Sequence, residues 1–109
     1  MSDPFRIKKG DLLPEITHQF TDADGAAVNL TGATIKFSMW LVDGGTAKIN
    51  AAAAAIVTAA TGQVKYTLAG TDTDTAGRYK GEFEATLTAK KLTSPNNTYI
   101  SIIIIDDLG

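Results

Sequence analysis

The sequence is 109 residues long, enough for one domain spanning 1–109 with a single core that removes about 65% of the unfolded chain's surface from water. It holds no cysteine, which excludes a disulfide framework and thiolate metal sites and fits a reducing compartment. Ten basic and twelve acidic residues leave a net charge of −2 with no block of like charge, so neither nucleic acid nor an anionic membrane is an expected partner.

The first residues, "MSDPFRIKKGD", carry no apolar run of signal-peptide length. The densest apolar run, Ile102–Ile105, is far short of the ~20 residues that cross a bilayer, so a soluble chain made without an address of its own is expected. From there the elements follow period-2 alternation cut by turn residues. Phe5–Lys9 and Glu15–Phe20 read as strands, the second with Ile16, His18 and Phe20 on one face and Thr17 and Gln19 on the other. Turn chemistry follows in "DADG" at 22–25 and "LTG" at 30–32. In "TIKFSMWLV", Ile35, Phe37, Met39 and Leu41 share one face, and Lys36, Ser38 and Trp40 share the other. "DGG" at 43–45 ends that strand.

The stretch "NAAAAAIVTAATG" at 50–62 admits two readings. Alanine is the best helix former, Asn50 suits an N-cap and Gly62 a C′ position. Such a helix would show Thr58 and Thr61 as its only polar side chains, and a small domain has little material to cover it on all sides. The β-branched run Ile56-Val57-Thr58 favours a strand over about 53–58 that turns at "AATG" and returns through "QVKYTL". Gln63–Leu68 then alternates Val64, Tyr66 and Leu68 against Lys65 and Thr67. "GRYKGEFEATL" sets Tyr79, Phe83, Ala85 and Leu87 against Lys80, Glu82, Glu84 and Thr86. After "SPNN" at 94–97, Thr98–Ile105 closes the series. About seven to eight short strands with no long amphipathic helix imply an all-β, antiparallel sandwich.

Residues for chemistry are sparse. His18 is the single histidine, on an apolar face, and reads as a packed side chain; with no cysteine, no zinc set or nucleophilic triad has a second candidate element. "TDADG" opens like a calcium loop, but counted from Asp22 its fifth and twelfth positions are Ala26 and Ala33, so it and "TDTDT" read as turns. Glu82 and Glu84 read as a solvated stripe, with no pocket implied that would raise a carboxyl pKa. The glycosylation patterns at Asn29 and Asn96 are short enough to arise by chance. No phosphate-cradling glycine motif appears, and neither a cofactor nor an enzymatic activity is expected.

What remains is surface. With Ile100, Ile102 and Ile104 inward, Tyr99, Ser101, Ile103 and Ile105 point outward, and Trp40 lies on the outward side of its own strand. Such a strand is either covered on both faces or locally bulged, or it makes a subunit contact, for which an outward tryptophan with outward isoleucines is the kind of anchor used; Trp40, Tyr99, Ile103 and Ile105 are the candidate contact residues. A flat strip of small side chains at Ala51–Ala55 joins that surface if the domain assembles.

Two resemblances bear on these readings. "DTDTAGRYKGEF" is similar to the approach to a late strand in immunoglobulin-like domains, where a tyrosine folds back on the preceding corner. Asp74 stands one residue too far from Tyr79 for the usual spacing, and Gly81 occupies the place of the cysteine. Over about 95 residues the order "DADG" before Val28-Asn29-Leu30, Leu30-Thr31-Gly32-Ala33, Gly62-x-Val64-x-Tyr66 and Ala76-Gly77-x-Tyr79 resembles the N-terminal immunoglobulin-like domain of phage baseplate upper proteins and related small tail and virion proteins. The resemblance implies an immunoglobulin-like sandwich and a scaffold made in the host bacterial cytoplasm and resident in the virion. It also implies homo-oligomeric assembly with itself or other virion proteins. The chain stops at Gly109, where longer relatives continue into stalk or adaptor regions. Two other readings stand beside it: a carbohydrate- or receptor-binding module, which would want exposed Trp and Tyr close together, and a head decoration protein.

Overall fold

The alternation resolves into strands in a computed structural model that describes residues 4–22, 24–45, 47–87, 90–94 and 99–106. The strands are β1 (Phe5–Lys8), β2 (Ile16–Gln19), β3 (Thr34–Leu41), β4 (Ile49–Thr58), β5 (Gln63–Tyr66), β6 (Gly77–Leu87), β7 (Lys90–Ser94) and β8 (Ile100–Ile105), with one 3₁₀ turn at Ala59–Thr61. The fold is all-β. Hydrogen bonding follows the order β1-β8-β6-β3-β4-β5-β2, with β7 on β6 off this path. Along one edge of β6, Gly77–Gly81 pairs with β8 and Phe83–Leu87 with β7, while β3 runs along the other.

The alanine stretch is strand, longer than the β-branched end alone indicated. Ala52, Ala54 and Ile56 pack toward the core, whereas Ala51, Ala53, Ala55 and Val57 face solvent. β4 changes partners partway: Ala52, Ala53 and Ala54 pair with β3, and Ala55, Ile56 and Thr58 with β5. Each pairing contains a register shift in which β4 carries the extra residue. At the first, Ala51 takes φ 52 and donates its N–H to the Ser38 hydroxyl at 2.9 Å. The 3₁₀ turn then reverses the chain at Gly62, with φ 72, where a Cβ would lie 2.7 Å from the carbonyl oxygens of Phe20 and Val28. No larger residue fits there without moving backbone.

Inward side chains from both ends of the strand order make one core, including Ile35, Phe37 and Met39 of β3, Tyr79 and Phe83 of β6, and Val64 and Tyr66 of β5. Phe37 stacks on Tyr66 with ring centroids 4.9 Å apart and tilts against Phe83 at 4.8 Å. It also lies over Gly81, where an added Cβ would meet Phe37 Cζ and Ile102 Cδ1 at 2.9 Å. The Tyr79 hydroxyl donates to the Thr75 carbonyl at 2.8 Å, tying the start of β6 to the corner before it.

Several local readings differ from the sequence expectations. β1 pairs with β8 in parallel, so the strand set is not wholly antiparallel. Leu41 is 39% exposed because it ends β3, where the sheet no longer covers it. β7 forms although "KKLTS" shows little alternation, since the C-terminal half of β6 extends past β8 and offers an edge. The "SPNN" turn beyond Ser94, the Asn96 pattern and Thr98 lie outside the described residues.

Gly81→Ala is expected to cost about 1–3 kcal/mol by overpacking, and Tyr79→Phe about 1 kcal/mol through loss of the corner hydrogen bond. Urea-unfolding midpoints at constant slope check both.

Candidate functional site

The layer β1-β8-β6-β3 has the core on one side. Its other side collects four of the candidate contact residues, Tyr99 at 45% and Ile105 at 40% exposure with Trp40 and Ile103 half-buried, whereas of the alanine strip on β4 only Ala51, Ala53 and Ala55 face solvent. The strands bring these four to one face but divide them into two groups. Ile103 lies between Arg6 of β1 and Arg78 of β6, and Ile105 is opposite Lys8. Trp40 sits opposite Lys80, which is opposite Ser101. Trp40 and Tyr99 then line one open cleft of about 470 Å³ together with Gly44, Gly45, Lys80 and Glu82.

Sequence reasoning placed Trp40 and Tyr99 outward but did not join them, and it passed over Lys80, Gly44 and Gly45 as site residues. Alternation gives each side chain's face; which residues become neighbours across strands depends on register. It also passed over exposed Val42 and Val57, at 42% and 53%, the first just past the end of β3 and the second within the second irregularity of β4.

The carboxylates are mostly engaged in the fold. Asp22 Oδ1 accepts the N–H groups of Asp24 and Ala26 at 2.9 and 3.0 Å, closing the turn read from "TDADG". Asp72 Oδ2 accepts the Tyr66 hydroxyl at 2.7 Å and the Ala69 N–H at 2.9 Å. Burial, and then this bond, push the Tyr66 hydroxyl pKa far up. Asp74 is held below the usual carboxylate range by its hydrogen bond from Lys48, then by Thr75. Glu15 is lowered by the Thr67 hydroxyl at 2.6 Å and by Lys65 at 3.3 Å. Glu84 pairs with Lys91 at 3.6 Å. Asn29 turns its Oδ1 back onto the N–H and hydroxyl of Thr31.

His18 stacks on Phe83 with rings 5.7 Å apart and 1° from parallel, and meets Phe20 edge-on. It borders a smaller cavity of about 340 Å³ with Thr17, Gln19, Val57, Gln63 and Val64, a set that supplies neither a carboxylate nor a second imidazole. Among the described residues no group of three His, Asp or Glu side chains comes together as a metal site. The arrangement on the outer face sets two aromatic side chains beside a lysine and a glutamate. No protein-family model matches the sequence, and comparison with curated proteins returns no match.

Burial holds the His18 pKa below its ordinary value, so the unfolded chain takes up its proton first on acidification. Stability is therefore expected to be level above the ordinary imidazole value of about 6.5 and to fall as pH drops below it. Thermal melts should show this slope, and His18→Gln should flatten it between the ordinary and the lowered pKa.

Proposed function

We propose that the chain is a structural module of a phage or prophage virion, of tail or baseplate type, that assembles through protein–protein contacts. The order of its motifs along the sequence supports this reading, as does the outer sheet face. The observation that carries it is the strip of Ile103 and Ile105 on β8, outward on a face where alternation calls for polar side chains. Apolar area of this kind is removed from water when subunits meet.

The charges around the strip constrain the contact. Arg6, Lys8 and Arg78 flank it. A two-fold pairing of the strip with itself would oppose these cations, whereas a head-to-tail contact can set them against carboxylates on another surface. The net charge of −2 means acidic residues outnumber basic ones over the rest of the chain. Head-to-tail contacts close into rings or extend as filaments, both suited to assembly about an axis. In this reading the partners are copies of the chain or other virion proteins. Neither nucleic acid nor membrane is contacted directly, and no catalysis is involved. A head decoration protein would use the same strip and differ in its place on the particle.

Ile103→Asp and Ile105→Asp are each expected to shift the mass seen by light scattering from oligomer to monomer while the circular dichroism spectrum of the folded strands is kept. Raising salt should weaken the wild-type association. A wild-type chain that stays monomeric and is absent from purified particles by mass spectrometry would refute the reading.

A further inference from the structure

We infer that the cleft between Trp40 and Tyr99 is a saccharide-binding subsite, taking a neutral pyranose ring. The inference stands on the cleft's own chemistry and does not depend on the assembly reading.

Its volume, about 470 Å³, lies in the range of small-molecule sites and exceeds what a single ion would fill. The chain's one tryptophan and its one exposed tyrosine among the described residues both line it. Aromatic faces carry partial negative charge, which attracts the polarised C–H groups on one side of a pyranose ring. The ring's hydroxyls each donate and accept, so a site for them needs both kinds of partner. Lys80 donates only, Glu82 accepts only, and both sit on the cleft wall at alternate positions of β6.

Among the described residues these polar groups have no partner that occupies them. Lys9, Lys48, Lys65 and Lys91 are each paired with a carboxylate. Lys80 and Glu82 are half-buried, yet neither forms an ion pair or hydrogen bond among the described residues. The indole N–H of Trp40 and the hydroxyl of Tyr99 are likewise without a protein partner among them. Two aromatic rings alone would also suit a proline-rich peptide, but its prolines carry no N–H to offer Glu82, whereas every hydroxyl of a sugar can donate to it. A phosphate would use Lys80 and be repelled by Glu82. Hydroxyl-bearing ligands use all four groups. The cleft floor is sheet, so two of its polar groups are held by β6 rather than by a loop.

Trp40, as the sole tryptophan, reports on its own cleft by fluorescence. The full chain should be titrated with a β-linked N-acetylglucosamine trimer, an α-linked glucose trimer and lactose, with inorganic phosphate and a proline-rich peptide as controls. At least one saccharide is expected to shift Trp40 emission saturably, with a dissociation constant on the order of 1 mM. Amide shifts of Gly44, Gly45, Lys80 and Glu82 should follow the same curve. Tyr99→Ala and Glu82→Gln should each weaken binding by about tenfold or more at unchanged melting temperature, while Ile103→Asp should leave it intact. No saturable response to any of the three saccharides, a response only to phosphate or to the peptide, or equal binding by folded Tyr99→Ala would overturn the proposal. Loss of binding in Ile103→Asp would place the ligand on the other part of the face and overturn it as well.

Discussion

The ring of Phe37, wedged between Tyr66, Phe83 and the bare backbone of Gly81, is the contact on which the rest of the structure depends. It joins β3 and β6 of one layer to β5 of the other. Burying such a ring contributes about 1.5–3 kcal/mol, and each well-oriented aromatic pair about 0.5–1.5 kcal/mol more. Against a net stability of roughly 5–15 kcal/mol for a domain, that is a large share for one side chain. The absence of a Cβ at Gly81 is what admits it. Because Phe37 must point inward, Trp40 must point outward, three residues on in the same strand. Because Phe83 points inward, Glu82 and Glu84 point outward. The outer face is thus a consequence of the inner one.

That dependence explains what the sequence could convey. In β3 and β6 one face is buried, so alternation is strict and the inward sets Ile35, Phe37, Met39 and Tyr79, Phe83, Ala85 are legible without coordinates. β4 was legible as a strand from Ile56-Val57-Thr58. Its start at Ile49 was not, because five alanines satisfy helix and strand alike and only pairing with β3 decides between them. β7 had no local signal. The neighbours of the candidate site were hidden for another reason: Trp40 meets Lys80, and Ile103 meets Arg6, only through pairings between distant segments. No short-range pattern encodes a register between strands some 40 or 100 residues apart.

Charge behaves in the same way. In the sequence, "TDADG" and "TDTDT" are the densest carboxylate clusters and Glu82 is unremarkable beside Glu84. In the fold, Asp22, Asp72 and Asp74 each accept hydrogen bonds that close a turn or corner. Clustered short acidic side chains suit turns because they reach nearby N–H groups. Glu84 finds Lys91. Glu82, one step along the same face, has no ion-pair partner among the described residues and lines the cleft with Lys80. What separates a structural carboxylate from an available one is the strand beside it.

The outward charges of β6 run Arg78, Lys80, Glu82, Glu84, from positive to negative along one strand. Tyr99 and Ile105 lie near opposite ends of β8, about 20 Å apart at the rise of a strand. An interface of about 800 Å² per partner spans some 16 Å from its centre, so one centred on Ile103 and Ile105 covers Lys80, which is opposite Ser101, and reaches Tyr99 only at its edge. Interface rims stay polar and hydrated. The cationic end of β6, Arg78 and Lys80, would then meet a partner's carboxylates, while Glu82 and Tyr99 lie at the rim. The two uses of the sheet face therefore overlap at Lys80 and part at Tyr99 and Glu82.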